Sequence, residues 1–323
     1  MTGQELFSTS RYLQQIGYTP RMIFGRNFAL TLTLLFGFFC FPLSAQGSQP
    51  PDVHRVLVSV FGDKSQQVRT DLPATAFEVE EGGKKCVIEN VRFTEKPAAV
   101  AFVLDLSGSI VGPEPKRSTT VHFQMPSRQA VIKPFLDSGS AENDYLAIGF
   151  SQEVRLLAPF TRDREAILSS LDVSLGRRTS LYDAMALAAE HLKDHSNERK
   201  AIVVISDFED NSSKMSLTGI RNTLREEGVL LFALVVPGDL GFGRAVAGDL
   251  VEEIGGSDAY PTAKWIPTAM RRFAETLRYC YAVEYRAVDG APAGHRRQVK
   301  VKVRKQIAGE KCKVVTPIYS RDS

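Results

Sequence analysis

Three separated segments of the chain carry short runs of carboxylate and hydroxyl side chains. The first reads Asp105-Leu-Ser107-Gly-Ser109, the second ends at Thr179, and the third begins at Asp207. Oxygen ligands without histidine or cysteine form the set that hard divalent cations such as Mg²⁺, Ca²⁺ or Mn²⁺ prefer. These five side chains therefore predict a metal site, provided that the fold brings them together.

Apolar runs place the first and third segments directly after two strands. Residues 98–104 and 201–205 are continuous apolar runs, which are typical of strands buried on both faces. The second segment stands before residues 180–195, in which apolar residues recur on one helical face. Ligands of open α/β sheets bind beyond the carboxyl ends of the strands. We therefore expect the three segments to meet at one edge of a sheet.

The alternation of strands and helices predicts the fold class. It indicates an α/β fold with a doubly wound, mainly parallel sheet flanked by helices over residues 98–285. Residues 46–97 and 286–323 are expected to contribute β segments that form one small side unit. The strands expected in the parallel unit are 98–104, 145–150, 154–160, 201–205, 229–236 and 282–285. The expected helices are 127–136, 163–171, 180–195, 217–227, 249–254 and 264–279.

The five polar residues resemble the metal-ion-dependent adhesion site of the von Willebrand factor A family, whose fold is Rossmann-like. That motif is Asp-x-Ser-x-Ser followed by a distant Thr and a distant Asp, and the resemblance covers roughly residues 98–285. It implies that Ser107, Ser109 and Thr179 offer hydroxyl ligands, while Asp105 and Asp207 act mostly through bound water. It also implies Mg²⁺, with Mn²⁺ or Ca²⁺ as alternatives, and a partner protein whose acidic side chain completes the coordination.

Two features depart from the family pattern. Phe208 follows Asp207 where the family usually has glycine, so we expect its ring to cover part of the metal or to form an apolar wall for a partner. Residues 111–126 form a proline-rich polar stretch that is longer than expected for the family. Such a stretch is predicted to project beside the metal edge and to influence the choice of partner.

Three functions are compatible with these residues. An exported bacterial adhesion-type binding module is the expectation, and a structural envelope protein with a vestigial metal site is the alternative. A hydrolase would use Asp105, Asp207 and a metal-bound water, with Glu209 or Asp210 as the base. We expect no enzyme, because the chain contains neither a Gly-x-Ser-x-Gly elbow nor a Walker lysine motif.

Two further motifs are expected to be structural. His191 and His195 stand four residues apart at a polar helix end without the Glu of a metalloprotease helix, which predicts a solvated surface. The glycine-rich residues 238–246 follow a strand, but Val246 holds the place of the third glycine of a dinucleotide-binding motif. We therefore expect a loop there.

The N-terminus predicts export. Arg21 and Arg26 precede an apolar run at 28–41, and Ala45 follows it, which is typical of a secretory signal peptide spanning residues 1–45. Met22 is a candidate for the true start. A membrane anchor is the alternative, although the run of 14 residues is shorter than the roughly 20 that a spanning helix needs. The expected location is the periplasm, the cell envelope or the medium, with no stable membrane span after cleavage.

Composition and cysteine content further restrict the class of protein and its possible partners. The chain is 43% apolar and 24% charged, which is typical of a globular protein, and its formal net charge of +3 argues against nucleic acid as a partner. Cleavage after residue 45 leaves Cys86, Cys280 and Cys312. An odd count predicts one disulfide and one free thiol. A Cys280–Cys312 bridge is the favoured pairing, because these residues flank a predicted hairpin.

Overall fold

The computed structural model describes residues 53–107, 125–173, 176, 178–238, 241–286 and 298–317. All of them belong to one compact unit, Ser48–Ser323. The predicted signal peptide, Ser109 and nearly all of the predicted projection at 111–126 lie outside the described residues. The domain boundaries at 97/98 and 285/286 stay predictions.

The described residues form strands and short helices in alternation. The strands are β1 (Val53–Gly62), β2 (Phe77–Glu81), β3 (Lys84–Lys85), β4 (Val87–Glu95), β5 (Ala98–Asp105), β6 (Asp144–Phe150), β7 (Val154–Thr161), β8 (Arg199–Ser206), β9 (Leu230–Val235), β10 (Gly256–Ala259), β11 (Tyr279–Arg286), β12 (Val299–Val303) and β13 (Cys312–Val315). The helices are α1 (Arg128–Ser138), α2 (Arg164–Ser170), α3 (Leu181–Lys193), α4 (Leu217–Glu227), α5 (Gly243–Ile254), α6 (Ile266–Arg278) and α7 (Lys305–Ala308). Short 3-10 turns lie at Ala74–Ala76 and Ala263–Trp265.

A six-stranded sheet in the order β10-β9-β8-β5-β6-β7 confirms the predicted fold class. Its strands pair in parallel, apart from β7, which pairs antiparallel with β6 at the edge. Every residue of β5 and β8 is buried, as their continuous apolar runs predict. Successive β5 residues alternate between two apolar layers, one shared with α1 and α6 and the other with α3, α4 and α5. The sheet is therefore covered on both faces.

The segments at the two ends of the described chain form two antiparallel sheets. One has the order β13-β1-β11-β4 and the other the order β12-β2-β3. Val58, Val283, Val79 and Val301 belong to one buried cluster between these sheets. The β2–β3 turn is made by Gly82 and Gly83, whose φ values of 56° and 80° are accessible mainly to glycine.

One predicted strand belongs to a different sheet from the one expected. Residues 282–285 were expected to end the parallel unit, and this prediction is wrong. They lie in β11, which pairs antiparallel with β1 and β4. A short apolar run does not identify its partner strand, because the pairing depends on the position in the fold at which α6 ends. Strands β10 and β13 were not predicted, since neither carries a long apolar run.

None of the three described cysteines forms a disulfide, so the predicted disulfide is wrong. Cys280 lies in β11 and Cys312 in β13, and β1 separates these strands by pairing with both. Two strand spacings amount to about 10 Å, whereas a disulfide requires Cα atoms within about 7 Å. The intervening strand, which belongs to the far end of the chain, is the feature that local sequence spacing does not reveal.

Among the described residues, no helix has both the length and the apolar character needed to cross a membrane.

Candidate metal site

The first polar segment begins at the last residue of β5. Asp105 and Ser107 are each only 2% exposed. Asp105 Oδ1 accepts the Ser107 backbone N–H at 2.8 Å, and its Oδ2 accepts the Ser206 hydroxyl at 2.9 Å. Because Ser206 ends β8, the Asp105 carboxylate is fixed between the carboxyl ends of two neighbouring strands.

Burial disfavours the charged form of this carboxylate. Desolvation raises the pKa of Asp105, while the hydrogen bonds from Ser107 and Ser206 and the positive charge of Arg128 oppose that shift. Arg128 is itself tied to the chain elsewhere, since its Nη1 donates to the carbonyl oxygens of Leu171 and Val173 at 3.2 and 2.6 Å. A cation beside a buried carboxylate offsets the cost of its desolvation. The environment of Asp105 therefore fits a divalent ion.

The third segment continues directly from β8. Asp207 is 4% exposed, and its Oδ1 accepts the Glu209 N–H at 3.1 Å. The Ser206 hydroxyl, which donates to Asp105, also accepts the Phe208 N–H at 3.0 Å. Ser206 was not recognised as part of the site from the sequence. Its signal was its position as the last residue of a buried strand, immediately before the predicted ligand.

Phe208 neither covers the site nor forms an apolar wall, so that prediction is wrong. The side chain is 2% exposed and belongs to the apolar layer between the sheet and α3, α4 and α5. Its φ of 59° is left-handed, which explains why glycine suits this position. For phenylalanine this conformation costs roughly 1–2 kcal/mol. Burial of the ring offsets that cost.

The second segment is attached to the third by hydrogen bonds of the Thr179 backbone N–H and carbonyl oxygen. Thr179 is 5% exposed. Asn211 Oδ1 accepts the Thr179 N–H at 3.0 Å. The Thr179 carbonyl oxygen accepts the backbone N–H groups of Asn211 and Ser212 at 3.0 and 3.1 Å. The next residue, Ser180, donates its N–H to the Ser151 carbonyl, just beyond β6.

Carboxylates around the start of α3 hold the same loop in place. Asp210 accepts the Tyr182 N–H at 3.2 Å and the Ser213 hydroxyl at 2.5 Å. Asp183 accepts the backbone N–H groups of Lys214 and Met215. Asn211 and Asp183 were not predicted from the sequence. The signal for Asn211 was the dense run of hydrogen-bonding side chains after Asp207, and the signal for Asp183 was its place in the first turn of α3.

The glycine-rich segment after β9 packs against the third polar segment. A Cβ atom at residue 238 would overlap the Asp207 side chain and the Glu209 carboxylate, and one at residue 243 would overlap the Asp207 carbonyl oxygen. Glu209 Oε1 also accepts the Gly241 N–H at 3.1 Å. The predicted loop is wrong for residues 243–246, because α5 begins at Gly243. The segment supports the candidate site through the close approach of Gly238 and Gly243 to residues 207–209.

These contacts bring Asp105, Ser107, Thr179 and Asp207 to one edge of the sheet. Ser109 lies outside the described residues. The described part of the chain has no cluster of three or more His, Cys, Asp or Glu side chains suited to a metal. The predicted ligands comprise two carboxylates and otherwise hydroxyls. Oxygen donors of this kind fit a hard divalent cation.

The carboxylates considered as catalytic bases have structural partners. Asp210 accepts the Tyr182 and Ser213 groups, and Glu209 accepts the Gly241 N–H. The histidine pair also differs from the expectation of a solvated surface. His191 is exposed, but His195 is half-buried and packs on Phe160 with ring centroids 4.5 Å apart.

Comparison with known proteins gives a family match over the residues that form this edge. The family model described as von Willebrand factor type A domain matches residues 100–209. A curated relative, an uncharacterized protein of Borreliella burgdorferi, is 25% identical over 142 residues, which amount to 42% of this chain and 40% of the relative. The chain thus matches less than half of that relative's length.

Two solved structures are similar over part of the chain. The manganese-loaded TRAP protein of Plasmodium vivax is 15% identical, covers 72% of this chain and 97% of its own, and gives a TM-score of 0.43. The BatB protein of Bacteroides thetaiotaomicron is 15% identical, covers 55% of this chain and 98% of its own, and gives a TM-score of 0.42.

Proposed function

Residues 100–209 belong to the von Willebrand factor type A domain family, and we propose that this domain is a divalent-cation-dependent module for binding another protein. The ligands are Ser107, Ser109 and Thr179, with Asp105 and Asp207 acting mostly through bound water. Mg²⁺ is the expected ion, with Mn²⁺ or Ca²⁺ as alternatives. An acidic side chain of the partner completes the coordination.

One observation carries this proposal: hydrogen bonds join all three predicted ligand segments at the carboxyl edge of the sheet. Asp105 is bound to Ser206, beside Asp207, and Thr179 is bound to Asn211, four residues further on. A bound cation would supply Lewis acidity and positive charge at this edge. The chain contributes oriented oxygen atoms, and their burial strengthens electrostatic attraction to a partner carboxylate.

The place of action proposed for the module is outside the cytoplasm. Residues 1–45 are proposed to direct export as a signal peptide, which places the mature chain in the periplasm, the cell envelope or the medium. N-terminal sequencing of the mature protein should begin near Gln46. Recovery of the intact 28–45 segment from a membrane fraction would instead indicate an anchor.

Calorimetric titration of the purified chain with Mg²⁺ and Mn²⁺ tests the metal site. Asp207→Asn removes a charge but keeps an acceptor for the Glu209 N–H, so the fold should survive. We expect cation affinity to fall at least about tenfold, or about 1.4 kcal/mol, which is within the range for lost support of metal binding. Thr179→Ala should weaken cation binding for the same reason.

Asp137→Asn is the matched control, because this exposed carboxylate pairs with Lys133 on α1 and should leave the titration unchanged. Identical isotherms for the wild type and Asp207→Asn would overturn the metal site. That result would favour a structural envelope domain with a vestigial site.

A further inference from the structure

We propose that Phe242 is the apolar anchor of the partner-binding surface, and that the partner presents an acidic side chain close to an aromatic or large aliphatic one. This inference rests on the proposed function, because the acidic side chain is the one expected to reach the cation. It adds a specific residue of this chain and a second requirement on the partner.

The position of Phe242 is fixed by its two neighbours. On one side, the Gly241 N–H donates to Glu209 Oε1 at 3.1 Å. On the other, the Gly243 backbone lies so close to the Asp207 carbonyl oxygen that a Cβ atom would not fit. Phe242 therefore stands between two residues that both touch the segment beginning at Asp207. The backbone that carries the ring is thus fixed beside the predicted ligand Asp207.

The Phe242 side chain contributes little to the fold. At 70% exposure it is the most exposed large apolar side chain among the described residues. It also occupies the residue before α5, where polar capping residues are favoured. Ser127, Asp163 and Ser216 fill the equivalent positions of α1, α2 and α4, and each accepts a backbone N–H. The residues before α3, α6 and α7 make no such cap, as at Phe242. The exposed Phe242 ring neither caps α5 nor packs in the core, so its removal should cost the fold little.

Arg244, two residues after Phe242, places an exposed cation near the start of α5. Exposed Arg244 stacks over the Tyr260 ring with its guanidinium carbon 4.5 Å from the centroid, and the Tyr260 hydroxyl hydrogen-bonds the Arg244 carbonyl oxygen at 3.0 Å. Further along the same sheet edge, exposed Lys264 lies 5.5 Å from the centroid of the Trp265 ring, which is itself 56% exposed. A cation and an aromatic ring therefore pack together two residues after Phe242, and the Tyr260 hydroxyl also donates to Asp258 Oδ2 at 2.6 Å.

This arrangement matches how protein interfaces gain affinity. Aromatic and arginine side chains dominate binding energy where neighbouring contacts exclude water. Displacing water from the Phe242 ring would also lower the local dielectric around the cation, which strengthens its attraction to a carboxylate. The two contacts are expected to reinforce each other, so a partner needs both an acidic and an apolar residue.

The test is a selection from a display library of random linear peptides on the immobilised chain. Selections with Mn²⁺ and with EDTA run in parallel on the wild type, Asp207→Asn, Phe242→Ser and Val87→Ser. Val87 is the control, because it is 64% exposed but lies in β4, a strand of a different sheet. Urea unfolding of each variant should give an unchanged midpoint for Phe242→Ser and Val87→Ser.

The expected result is a Mn²⁺-dependent set of peptides that contain an acidic residue near an aromatic or large aliphatic one. Their affinity should fall at least about tenfold on Phe242→Ser, and should be unchanged on Val87→Ser. If Mn²⁺-dependent acidic peptides bind the wild type and Phe242→Ser equally, the role of Phe242 is overturned, but the proposed function is not. If no peptides bind the wild type in a Mn²⁺-dependent way, or if Asp207→Asn still binds those that do, the proposed function and this inference are both overturned.

A membrane surface is the alternative to a protein partner, and a vesicle-binding measurement distinguishes the two. Vesicles of phosphatidylserine and phosphatidylcholine provide the probe, with phosphatidylcholine vesicles as the uncharged control. No Mn²⁺-dependent binding is expected. Binding to the anionic vesicles that requires both Mn²⁺ and Phe242 would assign the ring to lipid and overturn a protein partner.

Discussion

Thr179 and Asn211 hold each other through reciprocal hydrogen bonds, although they are 32 residues apart in the chain. Asn211 Oδ1 accepts the Thr179 N–H at 3.0 Å, and the Thr179 carbonyl oxygen accepts the Asn211 N–H at 3.0 Å. The pair fixes a predicted hydroxyl ligand relative to the loop that follows the predicted ligand Asp207. The distance between the second and third ligand segments thus depends on a residue that is not itself a ligand.

Replacing Asn211 should therefore weaken cation binding indirectly. Asn211→Ala leaves the buried Thr179 N–H without its acceptor, which should lower the free energy of unfolding by about 1–3 kcal/mol. It should also reduce Mn²⁺ affinity in calorimetry. Asn211→Asp keeps the acceptor oxygen and should retain most of the affinity. If both variants bind Mn²⁺ as the wild type does, Asn211 does not position Thr179.

Two substitutions of Phe208 should separate ring burial from backbone strain. Phe208→Ala should lower the free energy of unfolding by about 3–5 kcal/mol, because it leaves a cavity in a buried layer. Phe208→Gly loses the same ring but relieves the left-handed backbone, so it should be more stable than Phe208→Ala by about 1 kcal/mol. Urea unfolding measures both values. A glycine variant that is less stable than the alanine variant would contradict the positive φ at this residue.

The glycine at the start of α5 should be essential for the geometry of Asp207. Gly243→Ala places a Cβ atom into the Asp207 carbonyl oxygen, so it should lower both stability and Mn²⁺ affinity. Gly248→Ala is the control in the same helix, because the nearest atom to its Cβ, the Tyr260 hydroxyl oxygen, is 3.6 Å away. That variant should be stabilised by up to about 1 kcal/mol. Equal effects of the two substitutions would argue against the close approach.

Thiol titration should find three free cysteines in the unfolded, non-reduced chain that lacks residues 1–45. In the native chain, Cys280 should resist alkylation, because it is fully buried and its burial raises the pKa of the thiol. Cys86 and Cys312 are partly exposed and should react first. A count of one thiol in the unfolded chain would instead indicate a disulfide.

The sequence by itself determined most strands of the six-stranded sheet and the position of the polar segments that follow two of them. Strands β5 and β8 are buried on both faces, so their apolar runs stand out without any knowledge of neighbours. The rule that polar residues after such strands share a sheet edge then placed Asp105 and Asp207 together. Both inferences depend only on local periodicity and on a general property of α/β sheets.

Only the tertiary structure decided three other features. Whether the ring of Phe208 lies in the core depends on its φ of 59°, which the residue type alone does not predict. The separation of Cys280 from Cys312 depends on β1, which comes from the opposite end of the chain. The placement of the Phe242 backbone beside Asp207 depends on the close approach of Gly243 to the Asp207 carbonyl oxygen and on the hydrogen bond from Gly241 to Glu209. The ring of Phe208 also needs the apolar layer that α3, α4 and α5 form against the sheet. In each case contacts between distant segments contribute, and local pattern carries no information about such contacts.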